Sequence, residues 1–125
     1  MLRILIVDDY EDNGAILAAA LEARGHVVSY TTTAEAALAV APSFHPDVAV
    51  LDILLPDGNG YDLGQELVAI PGLESLCLVA ITGFARNPDE ARAAGFHGHV
   101  MKPISLDKLE ATIRECLRIA GGLSS

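Results

Sequence analysis

Val48-Ala49-Val50-Leu51-Asp52-Ile53-Leu54-Leu55-Pro56-Asp57-Gly58-Asn59-Gly60 decides the fold. Four apolar residues run into a carboxylate, and a Pro and two Gly follow. A short apolar run bounded by turn residues reads as a strand buried on both faces. Asp52 then falls at or just past its carboxyl end. In an open parallel sheet that edge is where ligands bind. An acid there is a metal ligand, a nucleophile or a strand-end cap, and the rest of the chain has to decide which.

Outward from this stretch the chain alternates. Leu2–Val7 reads as a strand ending in Asp8-Asp9. Glu11–Arg24 carries Ile16, Leu17, Ala20 and Leu21 at helical spacing and stops at Gly25. His26–Tyr30 is a short strand. Thr33 caps a helix from Ala34 to about Val40, ended by Pro42. Asp47–Leu51 is the central strand. Tyr61–Ile70 is a helix ended by Pro71-Gly72. Cys77–Ile81 is an apolar strand running into Thr82-Gly83. Pro88–Ala94 is a short helix with Pro in its first turn. Gly98–Met101 is a brief strand ending in Lys102-Pro103. Leu106, Leu109, Ile113, Cys116, Leu117 and Ala120 mark a last amphipathic helix. Strand and helix alternate five times, which predicts an α/β fold with a parallel sheet and helices on both faces. One domain consumes residues 1–125, with its core at about 2–119 and a tail at 120–125.

Composition narrows the function classes. The chain has 125 residues, 51% of them hydrophobic, enough for one domain with a real core. No apolar run approaches the ~20 residues of a membrane helix. The start, Met1-Leu2-Arg3-Ile4, lacks a signal-peptide pattern and reads as a strand. The net charge of −9 argues against direct nucleic-acid binding, which needs a basic footprint. Cys77 and Cys116 lie in apolar contexts and read as reduced core thiols of a cytoplasmic protein.

In a parallel sheet all carboxyl ends meet on one edge. Asp8, Asp9, Asp52, Thr82 and Lys102 therefore converge although they are far apart in sequence. Taken singly, each has an ordinary reading as a turn, cap or solvated residue. Taken together, four strands end in complementary polar groups on the edge where ligands bind. Two carboxylates at ~4 Å repel by about 4 kcal/mol at an effective dielectric near 20. A cation among them relieves this, and hard oxygen ligands in a small site suit Mg²⁺. Asp52 can then act as a nucleophile towards phosphorus. Mg²⁺, the Lys102 ammonium and the Thr82 hydroxyl are partners for the phosphoryl oxygens.

These residues resemble a response-regulator receiver domain, the phosphoacceptor module of two-component signalling. The matching pieces are Ile4-Leu5-Ile6-Val7-Asp8-Asp9, Leu51 to Gly60, Ile81-Thr82-Gly83 and Lys102-Pro103. The resemblance implies a flavodoxin-like (βα)5 sheet of strand order 2-1-3-4-5. It makes Asp52 the phosphoacceptor and Asp9 the principal metal-binding acid. Asp8 acts mainly through water, and the Leu54 backbone carbonyl is a third metal ligand. Thr82 matches the switch hydroxyl and Lys102 the phosphate-contacting amine. The Lys102–Pro103 bond is expected to be cis, Gly83 leaves space beside the acceptor, and Gly60 fits the start of the third helix. The switch aromatic of the family is His99 here, a departure from the commoner Tyr or Phe. His97 and His99 lie two apart and can share a face. Leu54 and Phe84 occupy the positions that tune phosphate lifetime. Both are apolar, so hydrolysis is expected to be slow; both are also candidates for docking a donor.

The function implied is a phosphorylation-dependent switch. It accepts a phosphoryl group from a histidine kinase or histidine phosphotransfer protein, turns over no metabolite, and signals to a protein partner. Residues Gly95 to Pro103 lean towards receivers attached to hybrid histidine kinases. A monomer or weak phosphorylation-dependent dimer is expected, pairing through a face that carries Arg86, Asp89, Glu90, Arg92, Lys108, Glu110 and Arg114. The alternative is a receiver-like interaction module that is never phosphorylated, against which the intact Asp9, Asp52, Thr82 and Lys102 argue. An aspartyl-phosphate phosphatase is disfavoured by Leu54, where such enzymes carry a second acid. A nucleotide-binding protein is disfavoured by Tyr10-Glu11-Asp12, where a Gly-rich loop is needed.

Overall fold

Every residue of β3 (Val48–Asp52) is buried, as a strand covered on both faces requires. The computed structural model describes residues 2–83, 93 and 95–120. β3 lies parallel between β1 (Arg3–Val7) and β6 (Cys77–Thr82). β2 (Val27–Thr31) flanks β1, and β7 (Gly98–Met101) flanks β6. The sheet order is β2-β1-β3-β6-β7, the expected 2-1-3-4-5 arrangement. All four neighbouring pairs are parallel, so the five carboxyl ends share one edge.

The side chains of each strand point alternately to the two faces. Leu5, Val7, Ala49, Leu51, Leu78 and Ala80 pack against α2 (Ala34–Phe44), α3 (Gly60–Val68) and Phe96. Ile4, Ile6, Val48, Val50, Val79 and Ile81 pack against α1 (Glu11–Ala23) and α4 (Leu106–Ala120). Two apolar layers on one sheet explain why the strands are apolar without alternation. Each fully buried Leu or Ile contributes about 1.5–3 kcal/mol.

Most element boundaries fall where turn chemistry places them. Gly25, with φ of 94°, follows α1. The Thr33 hydroxyl accepts from the Ala36 N–H at 3.1 Å and caps α2. Asn59 Oδ1 accepts from the Asp62 N–H at 2.9 Å and caps α3.

Two expectations change. Pro42 does not end α2, which continues to Phe44 and closes on His45 in the left-handed conformation. A proline in a last turn forfeits only one backbone bond, which the packed Ala37 and Ala41 outweigh. The turn residues after Asp52 form a hairpin, in which β4 (Leu54–Leu55) pairs antiparallel with β5 (Gly58–Asn59). Cys77 and Cys116 are not separate thiols: their sulfurs meet, with Cα atoms 6.0 Å apart, a separation that a disulfide spans. Cys77 opens β6 and Cys116 sits on the inward face of α4, so both project into one apolar layer at a bridgeable distance.

The expected helix Pro88–Ala94 lies for the most part outside the described residues. So do Phe84, Arg86, Asp89, Glu90, Arg92 and the tail from 121 onwards.

Candidate functional site at the carboxyl edge of the sheet

Four strand ends deliver the site. β1 runs into Asp8 and Asp9, β3 ends in Asp52, β6 ends in Thr82, and Lys102 follows β7. Asp8, Asp52 and Thr82 are buried, whereas Asp9 is exposed. Backbone pairing fixes the relative heights of these groups. The Ile53 N–H donates to the Ile81 carbonyl at 3.1 Å, and the Lys102 N–H donates to the Thr82 carbonyl at 2.8 Å.

Lys102 Nζ stands 3.0 Å from Asp52 Oδ2 and 3.8 Å from Asp8 Oδ1. The Leu54 N–H donates to Asp52 Oδ1 at 3.1 Å, so both carboxylate oxygens of Asp52 are engaged. Asp8 Oδ1 accepts from the Tyr10 N–H at 2.9 Å, and the Asp8 carbonyl accepts from the Tyr30 hydroxyl at 3.0 Å. The Lys102–Pro103 bond is cis, as the resemblance implies.

The electrostatics follow from this crowding. Burial raises Asp8 above the usual carboxylate range, and the Asp52 charge adds to the rise. The Tyr10 N–H and the Lys102 ammonium pull against it without cancelling it. Burial pulls the Lys102 ammonium down. The hydrogen bond and charge of Asp52 outweigh this, with Asp8 and Asp9 behind them, and hold Lys102 above its ordinary value.

One ammonium does not neutralise three acids. Carboxylate oxygens of Asp8, Asp9 and Asp52 lie within 4.8 Å of one another. Asp8 Oδ2 is buried with no hydrogen-bond partner among the described residues. An orphaned anionic oxygen facing two further carboxylates fits a small hard cation. The donor set is all oxygen, as Mg²⁺ prefers.

Two glycines act here through space. A Cβ on Gly60 would stand 2.3 Å from the Asp52 carbonyl oxygen, so only glycine lets α3 begin against the Asp52 backbone. A Cβ on Gly83 would meet nothing within 4 Å among the described residues.

Residues 4–114 match the model of the response regulator receiver domain. The chain belongs to that family. This receiver is 32% identical to a polar-differentiation response regulator, DivK, of Brucella ovis over 116 residues, covering 91% of this chain and 94% of that one. It is 32% identical over 121 residues to the two-component response regulator PhoP of Pseudomonas aeruginosa, covering 97% of this chain and 54% of that longer one. A CheY-like receiver domain structure from Methanospirillum hungatei superposes with a TM-score of 0.86 at 28% identity, covering 97% of each chain. The receiver is a two-component signalling domain and not a metabolic enzyme. These relatives are response regulators, and they leave the leaning towards hybrid histidine kinases without support. Among the described residues no helix is long and apolar enough to cross a membrane.

The sequence expectations are distributed as follows. Asp8, Asp9, Asp52, Thr82 and Lys102 meet on one edge, and Leu54 lies on the β4–β5 hairpin beside them, its side chain 55% exposed. His99 is exposed on β7, in register with Ala80. His97 lies beside Cys77 and Cys116. Sequence reasoning missed two supports of this receiver's site. Asp57 accepts from the Ala34 and Glu35 N–H groups at 2.9 and 3.0 Å, tying the hairpin to the first turn of α2. Tyr30 braces the Asp8 backbone from β2. The unsatisfied N–H groups expected at any helix start are a signal for the first. Nothing local in the sequence signals the second.

Proposed function

We propose that this receiver is a phosphorylation-controlled switch with Asp52 as its phosphoacceptor. The observation that carries the reading is Asp52 itself: a buried carboxylate at the ligand edge, held by one ammonium and one backbone N–H, beside two further acids. A carboxylate oxygen of Asp52 attacks the phosphorus of a phosphohistidine. The P–N bond breaks, its electrons stay with the imidazole nitrogen, and an aspartyl phosphate remains. Asp8, Asp9, Asp52 and the Leu54 carbonyl are the groups we assign to Mg²⁺. When bound, the ion supplies charge neutralisation for the phosphoryl oxygens.

The chain's own residues do the positioning. The Leu54 N–H and Lys102 Nζ orient the Asp52 carboxylate. Lys102 is poised to stay with the phosphoryl group once Asp52 has lost its charge. Thr82, at the end of the adjacent strand, is assigned the switch hydroxyl, and His99 the ring that follows it. Tyr10 and Leu54 are exposed apolar groups, which we assign to docking a protein donor, a histidine kinase or a phosphotransfer protein. We place the protein in the cytoplasm, where such donors present their phosphohistidine, and assign its output to a protein partner.

Intact-protein mass after incubation with Mg²⁺ and acetyl phosphate tests this. One phosphoryl adduct on wild type, absent from Asp52→Asn and lost without Mg²⁺, is the expected result. Failure of wild type to take phosphate from acetyl phosphate, to bind beryllofluoride, and to accept from any phosphohistidine donor would favour a receiver used only for binding.

A further inference from the structure

A second cluster lies away from the acidic site, at the opposite edge of the sheet. Cys77 is the first residue of β6, and Cys116 reaches it from α4. His97, just ahead of β7, offers a ring nitrogen within 4.8 Å of both sulfurs. The backbone fixes it there. The His97 N–H donates to the Leu78 carbonyl at 2.9 Å, and His97 Nδ1 accepts from the Leu78 N–H at 3.4 Å. The sulfurs are buried and the imidazole is exposed, so His97 stands at the solvent rim of the pair.

We propose that Cys77 and Cys116 are a reversible redox modification site, closed by a small-molecule disulfide with His97 as the base that generates the attacking thiolate. A cysteine is a nucleophile only as thiolate, and an adjacent imidazole is a common way to make one. Cys116 lies on α4, whereas Cys77 lies within the five-stranded sheet, so local opening of the helix frees Cys116 at lower cost than Cys77. Cys116 is therefore the entry thiol.

The chemistry balances. His97 Nδ1, with Nε2 already carrying the ring hydrogen, gives up the Leu78 N–H to take the Cys116 proton, and the Cys116 thiolate attacks one sulfur of the oxidant RSSR. That S–S bond breaks, RS⁻ leaves, and a mixed disulfide remains on Cys116. The first RS⁻ takes the Cys77 proton, and the Cys77 thiolate then attacks Cys116 Sγ and expels the second RS⁻. The protein loses two electrons, and two protons pass to the two RS⁻ leaving groups. A dithiol reductant runs the same steps backwards.

The closed form links residues 39 apart in sequence and fastens α4 to β6, the strand that ends in Thr82. A permanent disulfide is out of place in a reducing compartment, whereas one that opens and closes with the thiol poise is not. Closing the loop removes entropy from the unfolded chain, so the oxidised form is the more stable one. None of this depends on phosphorylation of Asp52.

The test uses the whole chain, reduced with a phosphine, freed of reductant and kept in a metal chelator. Oxidised glutathione is added, and alkylation of the remaining thiols is followed by mass. The expected product has lost two hydrogens, maps to Cys77–Cys116, melts several degrees higher, and reverts on addition of a dithiol. His97→Ala, at an exposed position, is expected to fold normally and to close at least about tenfold more slowly. Free imidazole in the buffer is expected to restore the rate, which a merely structural role for His97 would not allow. Thiols that stay free, or that stop as glutathione adducts, overturn the proposal. An unchanged rate in His97→Ala overturns the role of His97. Tight retention of one soft metal ion by the reduced chain, with closure blocked until that ion is removed, overturns it in favour of a Cys2His metal site.

Discussion

Lys102 Nζ sits 3.0 Å from Asp52 Oδ2 and 3.8 Å from Asp8 Oδ1, so a single ammonium serves two buried carboxylates. The metal-free fold depends on it. Breaking a fully buried ion pair from one side costs about 3–5 kcal/mol. The Lys102 side chain is 27% exposed, which dilutes the effect. Lys102→Met is expected to lower stability by about 1–3 kcal/mol in chelator. Urea denaturation measures this, and an unchanged midpoint would contradict it.

Asp8 gives a pH dependence of definite sign. Its folded pKa is raised, chiefly by burial, so the folded chain holds the proton more tightly than the unfolded one. Stability therefore falls as pH rises from the ordinary carboxylate range through the raised value, then levels off. Asp8→Asn removes that penalty. In metal-free buffer the variant is expected to gain on wild type as pH rises from about 4 towards neutrality. A gap independent of pH would refute the assignment.

Mg²⁺ is expected to stabilise the fold through the same acids. At about a hundredfold over its Kd, a ligand that binds only the folded state adds about 2.7 kcal/mol. Asp9 is exposed, so Asp9→Asn is expected to leave the metal-free melting temperature nearly unchanged and to abolish the Mg²⁺ shift. Thermal scans with Mg²⁺ and with chelator decide this. A full shift in the variant would remove Asp9 from the ligand set.

Asp57 is the clasp of the hairpin. The Ala34 and Glu35 N–H groups hold its carboxylate below the usual range. Asp57→Ala is expected to lower the melting temperature and to slow phosphorylation by acetyl phosphate, because the turn bearing Leu54 comes loose from α2. Asp57→Asn, which keeps one acceptor oxygen, should fall between. Equal phosphorylation rates for all three proteins would limit Asp57 to capping α2.

Leu54 bears on the lifetime of the proposed aspartyl phosphate. Its side chain is apolar and exposed beside Asp52, so it has no group with which to orient an attacking water. Slow loss of phosphate is expected for wild type, and several-fold faster loss for Leu54→Asn, followed by mass after donor removal. A wild-type half-life of seconds would contradict this.

Much of the architecture was legible because strand burial and turn chemistry are local. Val48–Asp52 reads as a strand covered on both faces, and it is. Thr33 and Gly25 mark helix ends, and they do. Pro42 misled because a proline rule weighs one residue, whereas the packed Ala37 and Ala41 decided how far α2 runs. The β4–β5 hairpin escaped notice because two-residue strands carry no period.

The sequence by itself determined which chemistry meets at the carboxyl edge. Alternating strands and helices force a parallel sheet, and a parallel sheet gathers Asp8, Asp9, Asp52, Thr82 and Lys102 wherever they lie along the chain. Only the tertiary structure decided how those groups share their charge. Lys102 lies 50 residues from Asp52, and its place between Asp52 and Asp8 depends on strand register and loop path rather than on neighbours in sequence. The same holds for Cys77 with Cys116 and for Asp57 with α2. Local pattern fixes which face a residue takes, but the distance between two faces is set by how the elements pack.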